Sequence, residues 1–510
     1  MRMYDEGRLK EQYDIGLVYR SNHNYGANMT HYALCSFLKS KGYSVLMIDL
    51  FKNSCLSLPI DRDDPFELYL KNPYSYLADI IEPENEWDYI ELNNICSIFL
   101  VGSDQLWRNY FLTSTNYYST LDWTDDNKYR ISYATSFGSE IFEGNSKETA
   151  ELAERLERFQ YISVREQSGV DICKNIFGRT ATCVIDPVFL CDKSVYVSLM
   201  DSVVNSRVPR RAYLGEYILD MDEYKVKIAK KVMKEIKSNN YALIGDAMVK
   251  FDPLDGARVE EWLEMIYKSE FLVTDSFHGT CFAIIFHKQF ITIFEKKNHR
   301  GYTRIESLLG MLGLKERLIN AENECNLLEI VNRKIDYQNV DIRINAYKYE
   351  SIEWFENALK EMQENYISAD KSEMSKYALN LLHKKENYEI KKKKLHESLS
   401  KCAGKSERFI IWGTGSCFAR IIRLVTEIID VDTVIDSDRN KWGKIYLNKI
   451  ICKSPEVLMN EKDVVVLVLV EKEELISEIC KTLGEYGISK IITYSQIFEA
   501  YDKAEIGDKK

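Results

Sequence analysis

Thr274-Asp275-Ser276-Phe277-His278-Gly279-Thr280 lies between two apolar runs, Phe271-Leu272-Val273 and Cys281-Phe282-Ala283-Ile284-Ile285-Phe286. The first run has the length of a strand and the second reads as the start of a helix. A strand, a short polar turn and a helix N-terminus form the place where α/β enzymes hold anions. The chain has only 7 His among 510 residues, and one at such a switch is a candidate for proton chemistry. Ser276 can cap the helix and leave backbone amides facing an anion, while Gly279 removes a side chain where a ligand would approach. Spacing alone equally describes a capping Ser beside a satisfied, partly buried His.

Strand and helix patterns alternate on both sides of this stretch. Upstream, Tyr213–Leu219 and Tyr241–Ile244 read as strands, and Asp222–Ser238 and Val259–Lys268 as helices; Phe290–Phe294 is the strand that follows. Nearer the N-terminus, Ile15–Tyr19 reads as a strand, Asn24-Tyr25-Gly26-Ala27 as a turn, and Thr30–Lys41 as a helix ended by Gly42. Ser44–Leu50, Ser97–Val101, Arg130–Thr135, Tyr161–Val164 and Thr182–Ile185 are further strands, closed by Asp186-Pro187. Pro cannot continue a central strand. The pattern predicts an α/β fold of two Rossmann-like, doubly wound units facing a cleft. The expected boundaries are 1–190 and 191–350. A polar, Lys-rich helical linker is expected over 351–405, and a third, smaller Rossmann-like domain over 406–510.

Composition narrows the function classes. Hydrophobic residues make up 45% of the chain and charged residues 29%, an ordinary globular balance. The net charge of -11 argues against nucleic acid as a partner. The 12 Cys include no CxxC pair, so no zinc spacing appears. The first residues lack an apolar signal core, and the aliphatic run Val464–Val470 is too short to span a bilayer. A cytoplasmic protein with free thiols is the expectation.

Polar residues cluster at the ends of expected strands. Asp104 and Gln105, in Gly102-Ser103-Asp104-Gln105-Leu106-Trp107, are placed to face the cleft. Trp107 can stack on a sugar or close the core, the commoner use of Trp. Arg165 can bind an anion or pair with a nearby carboxylate. After the strand that follows the His motif come Lys296, Lys297, Arg300 and Arg304. Arg300 and Arg304 can fork a carboxylate or phosphate, or belong to a solvated basic loop. In the third domain Gly413-Thr414-Gly415-Ser416-Cys417-Phe418-Ala419 approximates a dinucleotide fingerprint whose third small residue comes one place late. Asp436, about 21 residues beyond Gly415, is suitably spaced for a ribose-binding acid. The same turn also suits a domain that binds nothing.

Together these residues resemble the polysaccharide pyruvyl transferase family. Asn24-Tyr25-Gly26-Ala27, Gly102-Ser103-Asp104-Gln105-Leu106-Trp107, Tyr133-Ala134-Thr135-Ser136-Phe137-Gly138, Ser163-Val164-Arg165-Glu166, Asp186-Pro187-Val188-Phe189-Leu190 and Asp275-Ser276-Phe277-His278-Gly279-Thr280 occur in the family's order, over about residues 15–317. The resemblance implies a two-domain fold like that of GT-B glycosyltransferases. It implies phosphoenolpyruvate as donor, a sugar or lipid-linked glycan as acceptor, a pyruvate ketal as product and inorganic phosphate as leaving group. By the same analogy His278 is the catalytic His, with Arg165 beside it holding the donor. Asn24, Gly26, Asp104, Gln105, Ser276 and Gly279 line the substrate site, and Lys296, Lys297, Arg300 and Arg304 are alternatives for the remaining donor-binding cation. No metal or cofactor is required by this route. Membrane association through the acceptor and self-association are both compatible with it. The C-terminal unit, through Ile435-Asp436-Ser437-Asp438 and Lys441-Trp442-Gly443, resembles nucleotide-binding domains of sugar-modifying enzymes, with a nucleotide or nucleotide-sugar as its implied ligand. The competing readings are a GT-B glycosyltransferase using a nucleotide-sugar, and a glycan-binding scaffold with a degenerate site.

Overall fold

The computed structural model describes residues 2–3, 12–20, 24–50, 77–83, 85, 87–114, 117–201, 206–238, 240–245, 257–294, 301–364, 375–403, 408–446, 450–461 and 463–497. Two compact units are present; the described part of the first runs from Arg2 to Ala378 and that of the second from Leu379 to Ile497. Among the described residues no helix is long and apolar enough to cross a membrane.

The first unit holds two sheets. One contains β1 (Arg2–Met3), β2 (Tyr13–Tyr19), β3 (Val45–Asp49), β4 (Asp79–Glu82), β5 (Cys96–Val101), β6 (Tyr129–Thr135), β7 (Tyr161–Val164) and β8 (Thr182–Cys183). Their order is 1-4-3-2-5-6-7-8, parallel except where β1 meets β4. The other contains β9 (Leu214–Ile218), β10 (Tyr241–Gly245), β11 (Phe271–Thr274), β12 (Gln289–Ile293) and β13 (Leu318–Ile319), in the order 10-9-11-12-13 and all parallel. Each sheet therefore reverses direction beside its first long strand, β2 or β9. Such reversals open a crevice at the carboxyl ends of the strands.

The short apolar runs become central strands because both of their faces are covered; every residue of β3 is buried. The helix expected over Thr30–Lys41 begins earlier, and Tyr25–Ser40 is helical. Asn24-Tyr25-Gly26-Ala27 is thus a cap and a first helical turn, since Asn24 Oδ1 accepts from the Ala27 amide at 3.1 Å. The Phe277–Ile285 helix starts at Ser276, whose hydroxyl accepts from the Gly279 amide at 3.2 Å.

The expected solvated linker from 351 differs. A 28-residue helix, Tyr337–Glu364, spans roughly 42 Å and buries Phe355, Ala358, Leu359 and Met362. It begins against the second sheet's layer, where the Tyr337 ring stacks on His287 at 4.5 Å. It ends against the first, where Phe355 lies 4.6 Å from Tyr133 and 6.1 Å from Phe37. Apolar residues at helical spacing are buried there, so this segment is core of the first unit. The two layers also meet through Tyr25, which stacks on Trp262 at 5.6 Å and donates to the Ala257 carbonyl at 2.7 Å.

The second unit carries β14 (Arg408–Trp412), β15 (Val431–Ile435), β16 (Ile445–Tyr446), β17 (Ile450–Lys453), β18 (Val464–Val468) and β19 (Ile491–Thr493). They are ordered 16-17-15-14-18-19, with β16 alone antiparallel.

Asp275 fixes the crevice of the second sheet. Its carboxylate accepts from the Leu219 amide at 2.7 Å, the Asp220 amide at 3.0 Å and Lys225 Nζ at 2.9 Å. These groups come from the loop that leaves β9 and from the Glu223–Glu235 helix after it. Both charged side chains are nearly inaccessible. Removing one partner of a buried pair leaves an uncompensated charge and costs about 3–5 kcal/mol. Asp275→Ala is therefore expected to lose about that much stability in urea unfolding. An unchanged midpoint would show that the β9–β11 crevice does not depend on this carboxylate.

Candidate functional site

Within the first unit, residues that follow strand ends of both sheets converge on Asp186. Its side chain is 1% exposed. Oδ1 accepts from Thr30 Oγ1 at 3.0 Å and from the Val188 amide at 3.1 Å. Oδ2 accepts from Arg165 Nη1 at 2.8 Å and Ser103 Oγ at 3.3 Å, and lies 3.6 Å from His278 Nε2. Residues after β5, β7, β8 and β11 and on the Tyr25–Ser40 helix thus meet at one carboxylate.

Burial works against a charge on Asp186, but His278 and Arg165 outweigh it and hold the carboxyl well below the usual carboxylate range. Burial likewise opposes the charge on Arg165, and Asp186, Glu166 and Asp104 reverse that effect and raise its guanidinium. Among the described residues only Nη1 of Arg165 is hydrogen-bonded. Among the described residues Nε and Nη2 have no hydrogen-bond partner, at 3.8 Å from Glu166 and Asp104 respectively. Buried donors left open in this way are rare and call for a ligand or water.

Phe277 stands between cations. The Arg165 guanidinium is 4.4 Å and that of Arg304 5.7 Å from its ring centre, within cation–π range. With its amide oxygen turned to Arg304, Gln105 accepts from Nη1 at 2.9 Å and Nη2 at 2.6 Å. Arg304 is thereby joined to the strand-end residues of the first sheet. Lys296, Lys297 and Arg300 lie outside the described residues.

Two glycines are required by packing. A Cβ on Gly26 would fall 2.3 Å from His278 Cβ, so this glycine lets the Tyr25–Ser40 helix press against the His. A Cβ on Gly279 would meet Thr274 Oγ1 at 2.5 Å and the Tyr217 ring at 3.0 Å. Packing against the protein already requires a glycine at 279. Asn24 caps a helix with its side-chain oxygen, as does Ser276. Trp107 is fully buried and donates to the Ser119 carbonyl at 3.3 Å, which settles it as core.

The structure brings together Arg165, His278, Asp104, Gln105, Gly26, Ser276 and Arg304, and adds residues that spacing did not single out. Asp186 is the chief of these; a carboxylate immediately after a strand, before a Pro that ends it, was its available signal. Thr30 and Ser103 serve it. Ser136 donates to Glu166 Oε1. His31 is buried on the face of its helix toward Gly102 and Tyr19, and neither ring nitrogen has a hydrogen-bond partner among the described residues. Burial pushes its imidazole down to about 4, with Asp104, His278, Asp186 and Arg165 as its nearest charges.

In the second unit the turn at Gly413 and Gly415, after β14, is hydrogen-bonded to Asp436, after β15. Asp436 Oδ2 accepts from the Thr414 amide at 2.9 Å, from Thr414 Oγ1 at 2.6 Å and from Lys441 Nζ at 3.0 Å. Oδ1 accepts from the Asp438 amide at 2.9 Å. Burial opposes its charge, and these bonds nevertheless lower the carboxyl. A ribose hydroxyl would share a carboxylate already engaged with its own fold. Gly413 has φ +102 and a close approach to the Leu469 carbonyl, whereas the space beside Gly415 is open.

A family model described as polysaccharide pyruvyl transferase matches residues 24–293, more than half of the chain. A second, described as C2185-like, N-terminal, matches residues 405–492. No curated protein matches. Among solved structures, the wall teichoic acid polymerase TagF aligns at 12% identity and TM-score 0.40, over 69% of this chain and 89% of that one. Arabidopsis thaliana UGT89C1 complexed with UDP-L-rhamnose aligns at 9% identity and TM-score 0.40, over 69% and 100%. A glycosyltransferase from Rickettsia africae ESF-5 aligns at 10% and 0.38, over 70% and 100%. These likenesses are low.

His31 gives the cleft a measurable acid sensitivity. An unfolded imidazole takes its proton near 6.5, the folded one only near 4. Between those values the unfolded chain binds more protons, so stability present above 6.5 is lost as pH falls. From pH 7 to pH 5 the wild type is expected to lose about 2 kcal/mol that His31→Gln does not. Urea unfolding at both pH values checks this; equal losses in the two proteins would contradict it.

Proposed function

The chain belongs to the polysaccharide pyruvyl transferase family, and we propose that it transfers pyruvate from phosphoenolpyruvate to two sugar hydroxyls of a cell-surface polysaccharide or its precursor. The product is a pyruvate ketal and the leaving group is inorganic phosphate. The observation that carries this reading is the pair of guanidinium nitrogens on buried Arg165 that have no hydrogen-bond partner among the described residues, beside His278.

Phosphoenolpyruvate presents a carboxylate and a phosphate, and a site for it needs more than one cation. Arg165 and Arg304 share the Phe277 ring and supply two. Fixed cations in a water-poor cleft act strongly on charge that moves during reaction. His278 is the proton donor to the methylene carbon, with Asp186 as the counterion for its protonated ring. Gly26 and Asp186 hold that ring from two sides. In the second unit, the turn at Gly413, Gly415 and Asp436 is read as a site for a nucleotide or nucleotide-sugar.

Calorimetry with phosphoenolpyruvate, and phosphate release with pyranosides carrying free neighbouring hydroxyl pairs, test the assignment. Wild type is expected to bind phosphoenolpyruvate and release phosphate. Arg165→Ala is expected to lose donor binding. His278→Ala is expected to keep binding and lose ~10²–10⁴-fold in release. Tight binding of UDP-sugars with no response to phosphoenolpyruvate would transfer the cleft to a glycosyltransferase reading. Ligand affinities unchanged in both variants would reduce it to a scaffold.

A further inference from the structure

Ketal formation moves two hydroxyl protons, and three carboxylates, Asp186, Asp104 and Glu166, stand around Arg165 in different surroundings. Asp186 is 1% exposed and its oxygens accept from Thr30, Val188, Arg165 and Ser103. Asp104 is 22% exposed at its side chain. Among the described residues its carboxylate accepts no hydrogen bond, and its one ion pair, with Arg165 Nη2, is long at 3.8 Å. The backbone explains how this acid is presented. Asp104 has φ +80, a left-handed conformation uncommon for a residue with a Cβ. A bond from the Ser136 amide to the Asp104 carbonyl at 2.9 Å and a bridge to Thr135 hold it there. Such conformations persist where surrounding structure imposes them, and they cluster at functional sites.

We propose that Asp104 is the general base for the acceptor, taking the proton from the attacking sugar hydroxyl, while Asp186 only positions Arg165 and His278. This rests on the pyruvyl transfer reading above. As the hydroxyl oxygen bonds to C2 of the donor, its proton passes to Asp104 and the π pair of the C2–C3 double bond takes a proton from His278. The C2–O bond to phosphate then breaks and its electron pair leaves with the phosphate. The second hydroxyl bonds to C2 in its place. Of the two hydroxyl protons, one is balanced by the new methyl C–H and the other ends on the phosphate, and no oxidant or reductant is needed.

The remaining nearby carboxylate is less suited. Glu166 is 4% exposed at its side chain, and its Oε1 already accepts from Ser136. Asp104 is also the acid on which Arg165, His278, Arg304 and His31 all act. Burial opposes its charge, and these four together hold the carboxyl below its ordinary value, which keeps it ionised while weakening its hold on a proton.

Two variants test the proposal without disturbing the backbone, because Asn and Gly both tolerate the left-handed region. Asp104→Asn and Asp104→Gly are each compared with wild type by calorimetry with phosphoenolpyruvate and by phosphate release with the same pyranosides. Removing a negative charge from a site for an anion should leave donor affinity equal or tighter. Release should fall by at least about 100-fold. Release close to wild type would remove Asp104 from the chemistry. Loss of donor binding in step with release, in variants that unfold like wild type, would make it a positioning residue instead. A wild type that neither binds phosphoenolpyruvate nor releases phosphate would overturn the pyruvyl transfer reading itself, and the base assignment with it.

Discussion

Asp186 keeps a negative charge where almost no water reaches it, and the first unit is arranged around compensating that charge. Four hydrogen bonds and one longer ion pair come to it from five separate stretches of chain. A buried carboxylate without such partners would be protonated or would destabilise the fold by several kcal/mol. With them it locks the guanidinium of Arg165 by one nitrogen and leaves the others open. The interaction that stabilises the site is therefore also the one that leaves two donors without a hydrogen bond among the described residues.

The halves of the unit are held so that this arrangement is exact in one respect: His278 comes from the second sheet's layer and Asp186 from the first. Tyr25 stacked on Trp262, Gly26 against His278 and the long Tyr337–Glu364 helix across both layers fix their spacing. A displacement of one layer would separate the His from its carboxylate. Tight packing makes such displacement costly. The order of the cleft thus follows from the apolar contacts beside it as much as from the charges inside it.

The strand-turn-helix patterns were legible because buried parallel strands are short apolar runs and their helices begin at polar caps. The stretch around His278 and the strand ends carrying Asp104 and Arg165 could be located on that basis. The helix start at Asn24 was hidden because Asn and Gly also favour turns. The buried face of the Tyr337–Glu364 helix is not legible because Phe355, Leu359 and Met362 are diluted among charged residues, and only tertiary contact shows which face is buried. Asp186 could be seen as a strand terminator but not as a hub, since its partners are as much as 156 residues away in sequence. Spacing marks Gly279 as a position without a side chain, but not that a Cβ there would meet Thr274 and Tyr217. Roles that depend on which distant side chains converge are not written in local spacing.

The central claim is that the open nitrogens of Arg165 and the ring of His278 form the seat of an anionic three-carbon donor. A crystal structure of the protein with phosphoenolpyruvate tests it most directly. The account predicts donor oxygens within hydrogen-bond distance of Arg165 Nε or Nη2, with the Asp186 contact to Nη1 retained and the donor carbons beside His278. Donor bound elsewhere, or bound with Arg165 and His278 both untouched, would contradict it.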